Sequence, residues 1–316
     1  MAERLLENAI QQGKLSQAYL ITAGSPAAAE AEAREFIRRL FCEKHTGCGV
    51  CPMCKRTDSG NNVDLMEIAS DEEFKIGAVR EVGDFLAKRA YESPYRCIYI
   101  REAQRMSHRV QNYLLKPLEE PGEGVVFVLS SSQPDRLLPT IQSRCVHVPV
   151  KAEPTAVVLK KLGGSDTARR TAAALSGGYV AEALAILKDE ELAAIRADAD
   201  HCMEKLARLK NPSVYDMEQR LLSHGKRMGE CVYAMLTMAR DAMTIRLRVN
   251  RELVNADYEG TTSLMAQRFT TGLLRFIIEI LANTYETLVR CPNANQKLAA
   301  EGMLFQILEV RSKWLT

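Results

Sequence analysis

Five short apolar runs, the first four separated by segments patterned as helices, constrain this chain more than any other feature. They are Tyr19–Thr22, Leu65–Ile68, Cys97–Ile100, Val125–Leu129 and Cys145–Val148, all within the first 150 residues. A run that is apolar at nearly every position belongs to a strand covered on both faces. Such strands alternating with helices build a parallel sheet. Helices are expected over Arg4–Gln12, from Pro26 through Leu40, over Ile76–Lys88, and from a Ser107 cap to about Leu118. Pro26 stands at the first helical turn, where a missing N–H does no harm. The strand signal ends at Lys151–Pro154. Short helices are expected from 155 to about 205, around the LSGGY turn at Leu175–Tyr179. Long helices are expected beyond 206. Met228, Val232, Met235, Ala239 and Met243 recur at helical spacing, as do Leu273, Phe276, Ile277 and Leu281, and both stripes read as core. The expected division is an α/β domain at 1–150, a small helical domain at 151–205 and an all-α domain at 206–316.

Charge narrows the function. Forty-two basic residues against 40 acidic ones leave a net charge of +2, so the chain does not coat nucleic acid by its own field. With no apolar run of about 18 residues and no signal-peptide layout, a soluble cytoplasmic protein is expected.

Nine cysteines in such a chain do not read as a disulfide framework. Cys42, Cys48, Cys51 and Cys54 are bunched in CEKHTGCGVCPMC, enough thiolates to close a tetrahedral shell around zinc. Gly47 and Gly49 permit the turns that aim successive sulfurs inward. A filled shell leaves no position for water, so the expected zinc is structural. His45 lies between two of the cysteines and is expected to be exposed. Cys97, Cys145, Cys202, Cys231 and Cys291 stand singly among apolar residues and read as small buried hydrophobes.

The first strand, turn and helix occupy the place of a phosphate-binding loop. Such a loop requires a lysine for the phosphates and Ser or Thr for magnesium. In ITAGSPAAAEAEAREF, Ala29 and Glu30 hold those positions. The strand ending CIYI continues into Arg101-Glu102, where a magnesium-binding acidic pair would sit, and an arginine cannot ligate magnesium. Neither ATP nor Mg²⁺ is expected as a cofactor.

The string NYLLKPLEEPGEGVVFVLSSSQPDRLLPTIQSRC, from Asn112 to Cys145, resembles the bacterial clamp-loader branch of the AAA+ proteins. YLITA, KIGAVRE, the four-cysteine insertion and NANQKLAAEGMLFQIL fit the same family. The resemblance implies an AAA+ α/β domain with a zinc insertion at 42–54, then a helical lid and a helical collar. It implies a subunit without its own ATPase, bracing a hetero-pentamer with motor (gamma/tau-type) and delta subunits that loads a sliding clamp on primer–template DNA during replication. The assembly serves a DNA polymerase. Arg144, in Ser143-Arg144-Cys145, would then be an arginine finger acting on a neighbour's ATP, with a planar donor fork suited to phosphate. This chain departs from the family at Pro117, which is expected to kink or end its helix, and at Ala181, where a phosphate-contacting arginine is lost. The spacing after the first cysteine is also short. Two alternatives are an active motor-type ATPase, opposed by Ala29, Glu30 and Arg101, and a stand-alone zinc-dependent DNA-binding protein, opposed by the near-neutral charge.

Overall fold

All five expected strands form and pair in parallel, in the order β2-β3-β4-β1-β5. They are β1 (Ala18–Thr22), β2 (Leu65–Ile68), β3 (Arg96–Ile100), β4 (Val125–Ser131) and β5 (Val146–Pro149). The computed structural model describes residues 9, 15–69, 76–208, 212–250, 252–291 and 293–314, with the side chains of 76–80 outside the description. The helix expected over Arg4–Gln12 lies outside these residues but for Ala9.

The sheet faces follow the strand period of two. Leu20, Ile98, Ile100, Phe127 and Leu129 join Val82, Val110, Leu114 and Leu118 in one core. Their neighbours Tyr19, Ile21, Cys97, Tyr99, Val126 and Val128 join Phe36, Ile37 and Leu40 in the other. The covering helices are α1 (Pro26–Phe41) on this second face, and α3 (Ile76–Leu86) and α4 (His108–Glu119) on the first. A short α2 (Pro52–Asp58) forms within the cysteine segment, which the sequence pattern leaves as a loop. β4 runs two residues past Leu129 because its serines are satisfied. Ser130 and Ser131 pair with Ile21 and Thr22, and the Ser130 hydroxyl lies 3.1 Å from that of Tyr99. Pro117 does not end α4, which continues to Glu119. The proline removes one donor near the helix end, while Leu114 and Leu118 stay buried on either side of it.

The chain divides into two compact units, one of residues 1–154 with 177–182, the other of 155–176 with 183–316. Among the described residues the second holds helices and no strand: α6 (Thr155–Lys161), α7 (Thr167–Leu175), most of α8 (Val180–Lys188), α9 (Glu190–Arg208), α10 (Val214–Ser223), α11 (Met228–Arg246), α12 (Glu259–Arg268), α13 (Thr271–Arg290) and α14 (Gln296–Trp314). α11 is its axis, with Met228, Val232, Met235 and Ala239 buried and Met243 packed at the core's edge. α9 crosses the boundary expected at 205, and its Cys202, Met203 and Leu206 share that core. Phe276 departs from the expected stripe: it is about a third exposed and tilts against Trp314, with ring centres 6.0 Å apart. Among the described residues no helix is long and apolar enough to cross a membrane.

Candidate metal centre and candidate phosphate loop

α1 ends at Phe41, and the Cys42 N–H donates to the Arg38 carbonyl at 2.9 Å as the chain leaves the helix. His45, Gly47 and Gly49 then take left-handed φ values of 54°, 67° and 69°. At Gly47 a Cβ would lie 2.8 Å from a Glu35 carboxylate oxygen, which a flexible side chain can move aside, so it is the left-handed conformation that calls for glycine. Cys51 caps α2, its sulfur accepting the Cys54 N–H at 3.4 Å, while the Cys48 sulfur accepts the Cys51 N–H at 3.4 Å. These turns bring the four sulfurs within 4.8 Å of one another. Cys48 Sγ and Cys54 Sγ are 4.0 Å apart. Zinc–sulfur bonds of about 2.3 Å at tetrahedral angles place sulfurs about 3.8 Å apart, so a slight contraction completes the shell. The four thiols can hold a metal ion.

Electrostatics favour a cation there. Burial opposes ionisation of Cys42, but the backbone N–H groups of Cys48, Lys44 and Thr46 outweigh it and hold the thiol at about 5. The Cys54 N–H lowers Cys51 as well. Cys54 is pushed up, first by burial and then by the neighbouring sulfurs of Cys51 and Cys42. Four thiolates repel one another unless a divalent ion sits among them, and its charge then deprotonates them all. His45 is exposed, with Nδ1 3.3 Å from the Arg39 carbonyl, and stays outside the cluster. Of the scattered cysteines, Cys97, Cys145, Cys202 and Cys231 are buried, and burial pushes Cys145 and Cys202 up to about 12. Cys291 is the exception, exposed where the chain leaves α13.

At the carboxyl end of β1, the loop before α1 is filled by its own chain. Ser25 caps α1, its hydroxyl accepting the Ala28 N–H at 3.2 Å. The Gly24 N–H donates to the Tyr179 hydroxyl at 2.9 Å, and the Ser25 hydroxyl donates to Glu182. Tyr179 packs against Ala23, Ala28 and Ala29. Gly177 and Gly178 make the turn that delivers it. A Cβ on Gly178 would lie 2.5 Å from the Glu153 carbonyl oxygen. Glu30 and Arg101, at the two altered motif positions, face each other at 3.6 Å. Arg34 bridges Glu30 at 2.8 Å and Glu67 at 2.7 Å. The polarity expected of a magnesium–phosphate site is inverted, with a carboxylate on the helix and a guanidinium just past the end of β3. Tyr179 and Glu182 escaped sequence reasoning because their partners lie more than 150 positions away; the glycine pair before Tyr179 was the available signal.

Arg144 stands elsewhere, between α5 (Pro139–Gln142) and β5. Its Nε donates to Glu119 Oε1 at 2.8 Å, its Nη2 donates to the same oxygen, and its Nη1 donates to the Thr140 carbonyl at 2.8 Å. The side chain is about a third exposed, while Cys145 turns into the sheet core.

A parallel five-stranded sheet with helices on both faces, followed by a helical carboxyl-terminal part, defines an AAA+-like α/β protein. The model of the family "DNA polymerase III, delta subunit" matches residues 1–154, and that of its C-terminal region matches residues 194–309. The chain belongs to this DNA polymerase III family, in the company of its delta-prime subunits. It is 28% identical to the delta-prime subunit of Bacillus subtilis over 264 residues, covering 80% of each chain. It is 25% identical to that of Escherichia coli over 307 residues, covering 94% of this chain and 90% of the other. A tau/gamma subunit of Haemophilus influenzae is 34% identical over 150 residues, which are 46% of this chain and 22% of the relative. Among solved structures, a gamma-subunit-related protein of Thermotoga maritima aligns over 100% of this chain and 99% of its own, with 20% identity and a TM-score of 0.49.

Proposed function

We infer that this chain is a non-hydrolysing, delta-prime-type clamp-loader subunit. It braces a ring of motor (gamma/tau-type) and delta subunits that opens a sliding clamp for primer–template DNA. One observation carries the reading: the Glu30–Arg101 pair and the Tyr179 hydroxyl occupy the ground a magnesium nucleotide would need. A triphosphate approaching α1 would meet a carboxylate, and Gly24 already has an acceptor. The three-way division into α/β, lid and collar domains is part of the same reading. So is Zn²⁺ as the ion held by Cys42, Cys48, Cys51 and Cys54. A complete thiolate set gives zinc a closed shell, which folds the loop without exposing a reactive coordination position.

Arg144 is assigned as the residue that acts in chemistry, in trans, on ATP bound by a neighbouring motor subunit. A guanidinium stays charged throughout, and in phosphoryl transfer it stabilises charge spreading over the γ-phosphate oxygens. Arginine fingers are worth about 10³–10⁵ in rate where one site is isolated, and a ring with several sites dilutes that effect. The test is a reconstituted complex of this chain with motor and delta subunits. The isolated chain is expected not to hydrolyse ATP. Arg144→Ala is expected to assemble normally while lowering clamp- and DNA-stimulated ATP turnover and clamp loading. Magnesium-dependent turnover by the pure chain, or wild-type loading by the Arg144→Ala complex, refutes the assignment.

A further inference from the structure

Arg144 does not hang free in solvent. A guanidinium carries five N–H donors in one plane. Here three of them are engaged, one on each nitrogen: Nε and Nη2 converge on a single oxygen of Glu119, and Nη1 reaches the Thr140 carbonyl. The two that remain sit on the terminal nitrogens and have no other partner among the described residues. The fork is gripped along its inner side and at one corner, which leaves the terminal nitrogens available to two oxygens of one phosphate group.

The two gripping groups come from different parts of the fold. Glu119 is the last residue of α4, anchored by buried Leu114 and Leu118. Thr140 lies in α5, held to the core by buried Ile141 and by Gln142, whose amide donates to the carbonyls of Pro134 and Leu137 at 3.0 Å each. Both supports therefore rest on packed secondary structure. A long, rotamer-rich side chain held at two points loses little further freedom when it meets its target.

On the reading of Arg144 as a trans-acting finger, we propose that Glu119 is a positioning residue for it, fixing the plane of the guanidinium before the neighbour's ATP arrives. Stability cannot explain the arrangement. Glu119 is about half exposed and Arg144 about a third, and exposed pairs of this kind contribute little to folding. A preorganised donor acts at the transition state, so its loss falls on turnover more than on nucleotide affinity.

The experiment uses the reconstituted complex with Glu119→Ala, Glu119→Gln, Arg144→Ala and the double variant. It measures kcat and KM for ATP in the presence of clamp and primed DNA. Glu119→Ala is expected to lower kcat by up to about tenfold, part of the roughly 10²-fold that a misplaced group can cost. KM for ATP should stay unchanged. Glu119→Gln, which keeps an acceptor oxygen but not the charge, should fall between Glu119→Ala and wild type. The double variant should match Arg144→Ala alone. If Arg144→Ala lowers kcat and neither Glu119 variant does, Glu119 does not position the finger. A rise in kcat for Glu119→Ala overturns the proposal too, since the carboxylate would then be restraining the arginine. Multiplicative losses in the double variant likewise show that Glu119 acts apart from Arg144. If Arg144→Ala itself has no effect, the finger reading fails and the positioning proposal falls with it.

Discussion

Replacing Asp64 is expected to loosen the α/β unit more than any surface change. Asp64 is 1% exposed, at the amino end of β2. Its carboxylate accepts three backbone N–H groups from one loop: Tyr91 at 2.8 Å, Glu92 at 2.9 Å and Ser93 at 3.0 Å. It also lies near Arg96, whose guanidinium is otherwise held by the carbonyls of Phe85 and Lys88. Hydrogen bonds to a charged group contribute about 1.5–3 kcal/mol each when buried. Residues 91 and 92 are exposed, so water can recover part of that loss when the carboxylate is removed. About 1 kcal/mol per bond then gives roughly 3 kcal/mol for Asp64→Ala. For a unit of this size each kcal/mol lowers Tm by about 2–4 °C, a drop of roughly 6–12 °C. Asp64→Asn keeps one acceptor oxygen, which can take the position that accepts both Glu92 and Ser93, and turns its N–H₂ towards the Tyr91 N–H, so at least one of the three bonds is lost together with the charge. Calorimetric melting of the full chain, with hydrogen exchange at residues 91–97, measures both effects. If both variants melt within about 2 °C of wild type and exchange is unchanged, Asp64 does not anchor this loop.

Cys51→Ser should lose stoichiometric zinc, read by metal analysis, and acidification should release the metal from the wild-type chain because protons compete for the thiolates. Zinc retained at one per chain in the variant would refute the ligand set. Met235→Ala, at the centre of the helical unit and fully buried, should cost about 2–5 kcal/mol in chemical denaturation. A loss below about 1 kcal/mol would mean that α11 repacks around the gap.

The sheet was legible because a strand covered on both faces has no polar side to hide, as in the runs of β1, β3 and β4; the edge strands β2 and β5, with Glu67 and His147 exposed, carry the signature less fully. The carboxyl edge of the sheet was harder to read. Ser130 and Ser131 look like a loop until the hydroxyl of Tyr99 and the backbone of β1 supply partners from distant parts of the chain. The cysteine cluster was legible in full, since local spacing alone decides whether four sulfurs can converge. The α2 helix inside it was not, because a thiol standing as a helix cap has no ordinary sequence signature. Pro117 does not end α4, since a lost donor near a helix end matters less than two buried leucines. Phe276 and Cys291 were over-read, since helical spacing cannot tell a core position from one at the rim. Glu119 escaped notice because the LEEP string reads as a helix end, and nothing local reveals that Arg144, 25 positions later, lies against it.

The filled phosphate loop also bears on what mutation can undo. Restoring lysine at Ala29 would push an ammonium into a site that is 1% exposed, against Ala23 and Ala28. Changing Glu30 to threonine would deprive Arg101 and Arg34 of a shared carboxylate. Replacing Arg101 with an acid would set two carboxylates against each other. Even all three together would leave Tyr179 on the Gly24 N–H and Glu182 on the Ser25 hydroxyl. These residues lie in contact, so their effects do not add, and each single change costs contacts before any combination could make a nucleotide site. On the non-hydrolysing reading proposed above, no one of these changes opens a nucleotide site, because the contacts around Gly24, Ser25 and Glu30 hold the loop filled.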